Sequence, residues 1–250
     1  MIRPLLIALQ FLTRLPVDLR RPPEARETGC SLLFYPLVGL LLGLMLALAA
    51  WLLAGLPSLL GSALLLLGWV LLTGGLHLDG LADSADAWAG GQGDHVRMLA
   101  IMKDPRSGPL GMVALVLLLL VKFAALGVLL EAGAGLTLLL IPLAGRTALP
   151  LLFLTTPYVR PGGLGDPLAA HMPRRAAAGV VVAGYVFMPL ALGWTGVWVA
   201  SAALVVFFCL RALMCRRLGG TTGDTAGALV ELTEAGALLC VAILLSVDSP

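Results

Sequence analysis

Charge is what this sequence has least of. Asp, Glu, Lys and Arg together make up 12% of its 250 residues, where a soluble domain carries about a quarter. The net charge of +2 is too small to draw in a nucleic acid. Aromatic residues are few, at 6%, and too scattered along the chain to form a stacking platform. The four cysteines (Cys30, Cys209, Cys215 and Cys240) show no C-x-x-C spacing and sit in or beside apolar runs. They read as packing residues, not as disulfides or zinc ligands. No internal repeat is visible. A cleavable signal peptide is not expected either: the first apolar stretch is short, holds Arg3 and Arg14, and lacks a clear small-residue cleavage site.

What is present is apolar length. The chain is 60% hydrophobic, with a mean hydropathy of +1.01. A membrane helix needs about 20 apolar residues to cross about 30 Å of hydrocarbon. No charged residue appears from Gly29 to Leu76, and Gly55 and Pro57 mark a turn inside that run. Spans are expected near 31–54, 58–76, 109–130, 135–156, 177–193, 195–214 and 226–246. Long unbroken apolar runs exclude the alternation of a barrel. The expected fold is therefore all-α: a polytopic helical bundle of about seven transmembrane helices, forming a single membrane-embedded domain over 1–250.

The loops set the expected orientation. Arg3, Arg14, Arg20, Arg21 and Arg26 precede the first span, and Arg97, Lys103 and Arg106 follow the second. Arg160, Arg174 and Arg175 follow the fourth, and Arg211, Arg216 and Arg217 lie around the end of the sixth. With seven spans all four groups fall on one side, while the opposite loops hold no Lys or Arg. The positive-inside rule then places the N-terminus in the cytoplasm and the C-terminus outside. Residues 1–28 form a cytoplasmic or interfacial segment, in which Pro4–Phe11 suits a helix lying on the inner surface. Residues 77–108 form a cytoplasmic loop.

That loop carries the densest chemistry. Gly74 and Gly75 interrupt span two, and Asp79, Asp83 and Asp86 follow at i, i+4 and i+7. On a helix they sit at about 0°, 40° and −20°, on one face about 10 Å long. Three stacked carboxylates repel one another unless a cation neutralises them. Oxygen-only ligands point to Mg²⁺ or Mn²⁺. The simpler alternative is a solvated acidic face, but Leu78, Leu81, Ala82, Ala85 and Trp88 leave little other polarity there.

IMKDPRSGPLG follows at 101–111. Asp104 precedes Pro105 and should be extended, where it can supply a further metal ligand. Lys103 and Arg106 suit phosphate oxygens, or are ordinary positive-inside residues. A third cluster, GGTTGDTAGALVELTEAG, opens span seven. Thr222 or Asp224 can cap that helix. Asp224 and Glu231 share a face, and Glu231 and Glu234 lie two to three turns in, where an unpaired carboxylate is costly. Gly219, Gly220 and Gly223 would let backbone N–H groups approach an anion; capping and helix-interface carboxylates are the plainer reading. Lys122 and Arg146 fall inside spans three and four. Arg146 could face a cavity and bind phosphate; Lys122 could pair with a carboxylate such as Glu234, or snorkel. His77 could orient a carboxylate or simply end a helix, and His95 and His171 read as loop residues. Carboxylates, metal and Lys/Arg together are the toolkit of phosphoryl and diphosphate chemistry.

These residues carry a resemblance. FLTRLPV (11–17), FYPLVG (34–39), HLDGLADSADAW (77–88), IMKDPRSGPLG (101–111) and GGTTGDTAGA (219–228) resemble, in order and across nearly the whole chain, the motifs of the cobalamin synthase (adenosylcobinamide-GDP ribazoletransferase) family. Departures are mild: Ala87 and Trp88 stand where a glycine is usual, and Pro109 replaces a small or β-branched residue. The resemblance implies a transferase of the bacterial inner membrane, with its site on the cytoplasmic side. It implies Mg²⁺-dependent transfer of the cobinamide-phosphate unit of adenosylcobinamide-GDP to α-ribazole or its 5′-phosphate, releasing GMP. On that basis Asp79, Asp83, Asp86 and Asp104 are assigned to the metal, and Asp83, Asp86 and Asp104 to catalysis, with Asp86 or Asp104 taking the hydroxyl proton. Lys103, Arg106 and Arg146 would hold the diphosphate. Thr222, Asp224, Glu231 and Glu234 would position the acceptor or complete the metal site. The lipid bilayer is the expected partner, no nucleic acid is expected, and an oligomer is compatible. The D-G-x-A-D-x-x-D core also resembles CDP-alcohol phosphotransferases, but their D-G-x-x-A-R element is missing. A membrane prenyltransferase would show a second Asp-rich motif, and a secondary transporter would show repeats.

Overall fold

In a computed structural model, residues 2–104 and 106–248 are described; Pro105, invoked above to extend Asp104, lies outside them. Eleven α-helices form among the described residues, with no strand. Five helices are long and apolar enough to cross a membrane, or six if one bent pair counts as a span. Large apolar side chains such as Leu44, Leu67, Leu117 and Phe208 point outward. A soluble monomer rarely exposes so much apolar surface, and lipid is the solvent it suits.

The chain opens with α1 (Ile2–Leu12) and α2 (Ala25–Ser31), then enters α3 (Tyr35–Leu52) through a tight turn at Leu32–Phe34. Helix α4 (Ser58–Thr73) ends at Gly74 and Gly75, both left-handed at φ 67° and 71°. Glycine takes that conformation without steric cost, and two in succession turn the chain by 89° into α5 (Leu76–Gly90). Helix α5 therefore does not continue the path of α4. Helices α6 (His95–Ile101), α7 (Pro109–Glu131), α8 (Ile141–Thr155) and α9 (Asp166–His171) follow.

Helices α8 and α11 (Gly223–Asp248) form the centre, with 83% and 61% of their most apolar windows buried. Small residues let helices approach α8: a Cβ on Gly43 of α3 would meet the Leu139 carbonyl just before it, and one on Gly39 would lie 2.6 Å from the Pro142 carbonyl. Without a hydrophobic drive between helices in lipid, such close backbone packing is a main source of association.

The sequence reading separates 177–193 from 195–214. Backbone hydrogen bonding joins them into α10 (Arg174–Leu218), but Leu192 and Gly193 leave helical geometry inside it. A Cβ on Gly196 would overlap the Met188 carbonyl, so the chain doubles back there. Cys209 is exposed, which corrects its reading as a packing residue.

Candidate active site

The glycine corner aims α5 along the first half of α11. A Cβ on Gly80 would lie 2.7 Å from the Asp224 carbonyl oxygen, and one on Gly227 3.3 Å from the His77 backbone. At Gly80 the approach leaves no room for a side chain, and at Gly227 it is tight. The D-G pair at 79–80 thus brings Asp79 beside Asp224, and Asp79, Asp83 and Asp86 follow the helical spacing expected for them. Asp83 has Asp79, Asp224 and Asp86 as anionic neighbours and Arg160 as a cationic one.

A cavity of about 360 Å³ opens at this junction. Its polar rim is Asp79, Asp224 and Arg160. Arg160 donates from Nη1 to Asp224 Oδ2 at 2.6 Å. Its place is fixed by a short parallel bridge: Val159 N–H donates to the Thr221 carbonyl and Thr221 N–H to the Pro157 carbonyl, each at 2.9 Å. Thr222 begins α11 through a reciprocal cap, accepting from Thr225 N–H at 3.2 Å while its own N–H reaches the Thr225 hydroxyl at 2.9 Å. Its hydroxyl is buried, so it shapes the helix start and does not face the cavity. Arg160 reads in the sequence as one more positive-inside residue, and nothing local marks it as part of a site.

The aromatics are not scattered in space. Phe11 stacks on Tyr35 with ring centroids 6.2 Å apart, and Phe153 on Tyr158 at 6.1 Å. All four line the cavity. They come from α1, α3, α8 and the 156–165 loop, so sequence distance hid them. Gly163 and Gly165 wrap the Tyr158 ring; a Cβ on either would fall within 2.5 Å of it.

Asp86 has another partner. Its carboxylate accepts from Gly108 N–H at 2.7 Å and from Gly111 N–H at 2.9 Å. It therefore holds the start of α7, where a negative charge also meets the positive end of the helix dipole. A Cβ on Gly108 or Gly111 would collide with it, which explains both glycines of the S-G-P-L-G run. Asp104 is bound to Arg106 at 2.7 Å. The Arg106 side chain holds its carboxyl down to about 2. Lys103 is exposed. The structure does not bring Asp104 among the charged neighbours of Asp83.

The remaining charges lie deeper. Lys122 of α7 donates to Glu231 at 2.5 Å and to Glu234 at 2.8 Å, both on α11. Its ammonium also sits 4.5 Å from the Trp69 ring centre. Arg146 of α8 pairs with Glu234 and is fully buried. The structure thus places Arg146, Glu231 and Glu234 in a core network and not on the cavity wall, because each finds its counter-charge there. His77 is buried beside the cavity with Nδ1 unpartnered.

Among the described residues no group of three or more His, Cys, Asp or Glu is gathered to hold a metal on its own. Mg²⁺ does not require one, since it binds through one or two carboxylates, waters and substrate phosphates. Asp79, exposed, and Asp83, half-buried, fit that mode. The arrangement suits a phosphate-bearing substrate: surplus carboxylates for a cation, a guanidinium for the anion, and an aromatic chamber behind them.

The sequence profile of the cobalamin-5-phosphate synthase family matches residues 4–242. The chain is 60% identical over 240 residues to an adenosylcobinamide-GDP ribazoletransferase of Pseudomonas putida strain W619, covering 96% of this chain and 98% of that one. It is 59% identical over 239 residues to the enzyme of that name from Ectopseudomonas mendocina strain ymp (96% and 98%). Against that of Pseudomonas entomophila strain L48 it is 58% identical over 241 residues (96% and 99%). No solved structure matches it.

Proposed function

This chain belongs to the cobalamin-5-phosphate synthase family, and from that premise we propose that it joins the two halves of cobalamin as an adenosylcobinamide-GDP ribazoletransferase. The ribose 3′-hydroxyl of α-ribazole, or of its 5′-phosphate, attacks the phosphorus nearer cobinamide. The bond from that phosphorus to the bridging oxygen breaks, and GMP leaves with the oxygen. The observation that carries this reading is the junction of α5 and α11, where Asp79 and Asp224 meet Arg160 at the mouth of a cavity with Asp83 close by.

Asp79 and Asp83 would hold Mg²⁺, or Mn²⁺ in its place, with Asp224 nearby to complete the set. The ion would neutralise the diphosphate and the developing charge on the leaving phosphate. Arg160 is suited to a phosphate oxygen through its planar fork. Lys103 and Arg106, exposed on the adjoining loop, supply a positive approach for the donor. Of the carboxylates first assigned to the proton, Asp86 has both oxygens engaged by amides, and Asp104 is paired with Arg106. Asp83 has three carboxylate neighbours and no hydrogen-bond partner among the described residues, so it would take the hydroxyl proton where Asp79 and Asp224 hold the ion in its place.

The site faces the cytoplasm on this reading, and the protein is a multi-pass protein of the bacterial inner membrane. The arginine-rich loops support that orientation. Counting the α4–α5 pair as one crossing and the two arms of α10 as two gives seven crossings. The test is a transfer assay on purified protein with adenosylcobinamide-GDP, α-ribazole and Mg²⁺. Metal-dependent release of GMP with a cobalamin product supports the reading; well-folded protein that yields neither overturns it.

A further inference from the structure

We propose that the cavity is the seat of the acceptor's aromatic base, with Phe11, Tyr35, Phe153 and Tyr158 as its specificity-determining walls; this rests on the reaction proposed above.

Size makes the first choice between the two substrates. The cavity measures about 360 Å³. Sites of about 300–1,000 Å³ enclose drug-sized ligands, and α-ribazole, with roughly twenty non-hydrogen atoms, is of that class. Adenosylcobinamide-GDP is several times larger. Its corrin ring cannot enter, so the donor presents its diphosphate to the rim from outside.

Chemistry makes the second choice, between the two flat bases that the reactants carry. Guanine has hydrogen-bonding groups along its edges, and burying them unpaired is costly. The inner wall here offers Phe11, Leu149, Phe153 and Leu168, together with two tyrosine rings and the imidazole of His77, whose unpartnered Nδ1 is one polar atom against guanine's several. One tyrosine hydroxyl is already engaged, since Tyr158 Oη accepts from Gly165 N–H at 3.2 Å. A dimethylbenzimidazole has no N–H and a single free ring nitrogen, so it loses little in such surroundings and gains stacking on both aromatic pairs. With the base inside, the ribose lies toward Asp79, Asp224 and Arg160, where the attack takes place.

The experiment titrates each substrate separately on the full-length protein and three variants: Phe153→Leu, Phe11→Ala and Leu168→Trp, which fills the chamber. Each variant is first checked for the elution profile and melting point of the parent. Losing one stacking partner is expected to raise the KM for α-ribazole by about fivefold to a hundredfold. The KM for adenosylcobinamide-GDP should stay within about twofold. An unchanged acceptor KM in all three folded variants overturns the assignment, and so does a rise confined to the donor, which would seat guanine in the chamber. Both results leave the proposed reaction standing. Equilibrium dialysis with α-ribazole alone separates the two ideas if the parent makes no product. Binding by the parent that Phe153→Leu abolishes keeps the chamber and removes the reaction; no binding by the parent removes both.

Discussion

The cavity rim and the buried network use the same residue types and share helix α11, yet their charges balance differently. In the network, Lys122 and Arg146 meet Glu231 and Glu234, so the charge closes on itself. At the rim, Asp79 and Asp224, with Asp83 close to both on α5, outnumber their cation Arg160. A buried group must bring its own counter-charge, because nothing else will solvate it. A group beside solvent can leave the balance open for a guest. The closed set holds α7, α8 and α11 together, and the open set is where a ligand completes the electrostatics.

Substitutions can break this contrast or sharpen it. The largest effect is expected from Lys122→Met, which strands Glu231 and leaves Glu234 to Arg146, and should cost about 3–5 kcal/mol, read as thermal unfolding in detergent. Adding Glu231→Gln should recover part of that loss, because the stranded carboxylate is then neutral while Arg146 keeps Glu234. A Lys122→Met protein as stable as its parent would show that the network does not bind the bundle. Next comes Asp83→Asn, beside the rim. Turnover should fall on the order of a hundredfold, while the melting point stays at or above that of the parent, since one like charge is gone. Loss of activity accompanied by unfolding would move Asp83 to the structural side.

Asp86 tests the boundary between the two regions. Asp86→Ala leaves two amide donors unpaired and should destabilise by about 1–3 kcal/mol, with faster hydrogen exchange at Gly108 and Gly111. If stability holds and only metal-dependent turnover is lost, Asp86 belongs to the metal after all. The smallest effect is expected at Arg106, an exposed partner of Asp104. Arg106→Gln should leave the melting point unchanged and raise the donor KM only about a few-fold, as exposed charges do.

Much of this was legible in the sequence because it depends on local spacing. The spans follow from apolar length, the shared face of Asp79, Asp83 and Asp86 from helical periodicity, and the α4–α5 corner from Gly74–Gly75. The depth of Glu231 and Glu234 and a partner for Lys122 were legible for the same reason. What escaped depends on distant segments meeting. Arg160 gains its role only when the 157–159 segment pairs with Thr221. The aromatic chamber gathers single residues from four elements, and no spacing rule links Phe11 to Phe153. The partners of Asp86 escaped as well, because they are backbone amides, which leave no mark in a sequence except the glycines that make room for them.

The corner at Gly74 also touches the beginning of the chain. Arg14 N–H donates to the Leu72 carbonyl at 2.7 Å, and the Arg14 side chain fills the space that a Cβ on Gly74 would take. Helix α1, which brings Phe11 to the chamber, is thus fastened to a site that the ribosome makes later, and Asp224 arrives later still. At about 5–20 residues per second, the first wall of the chamber waits roughly 10–40 s for the last part of the rim. Before then α1 can already dock on α2, α3 and the Gly74 corner, but the chamber it lines has no complete rim. Insertion of the spans must therefore run ahead of the closing of the pocket, and a nascent chain halted before α11 would sit in the membrane with no place to hold a substrate.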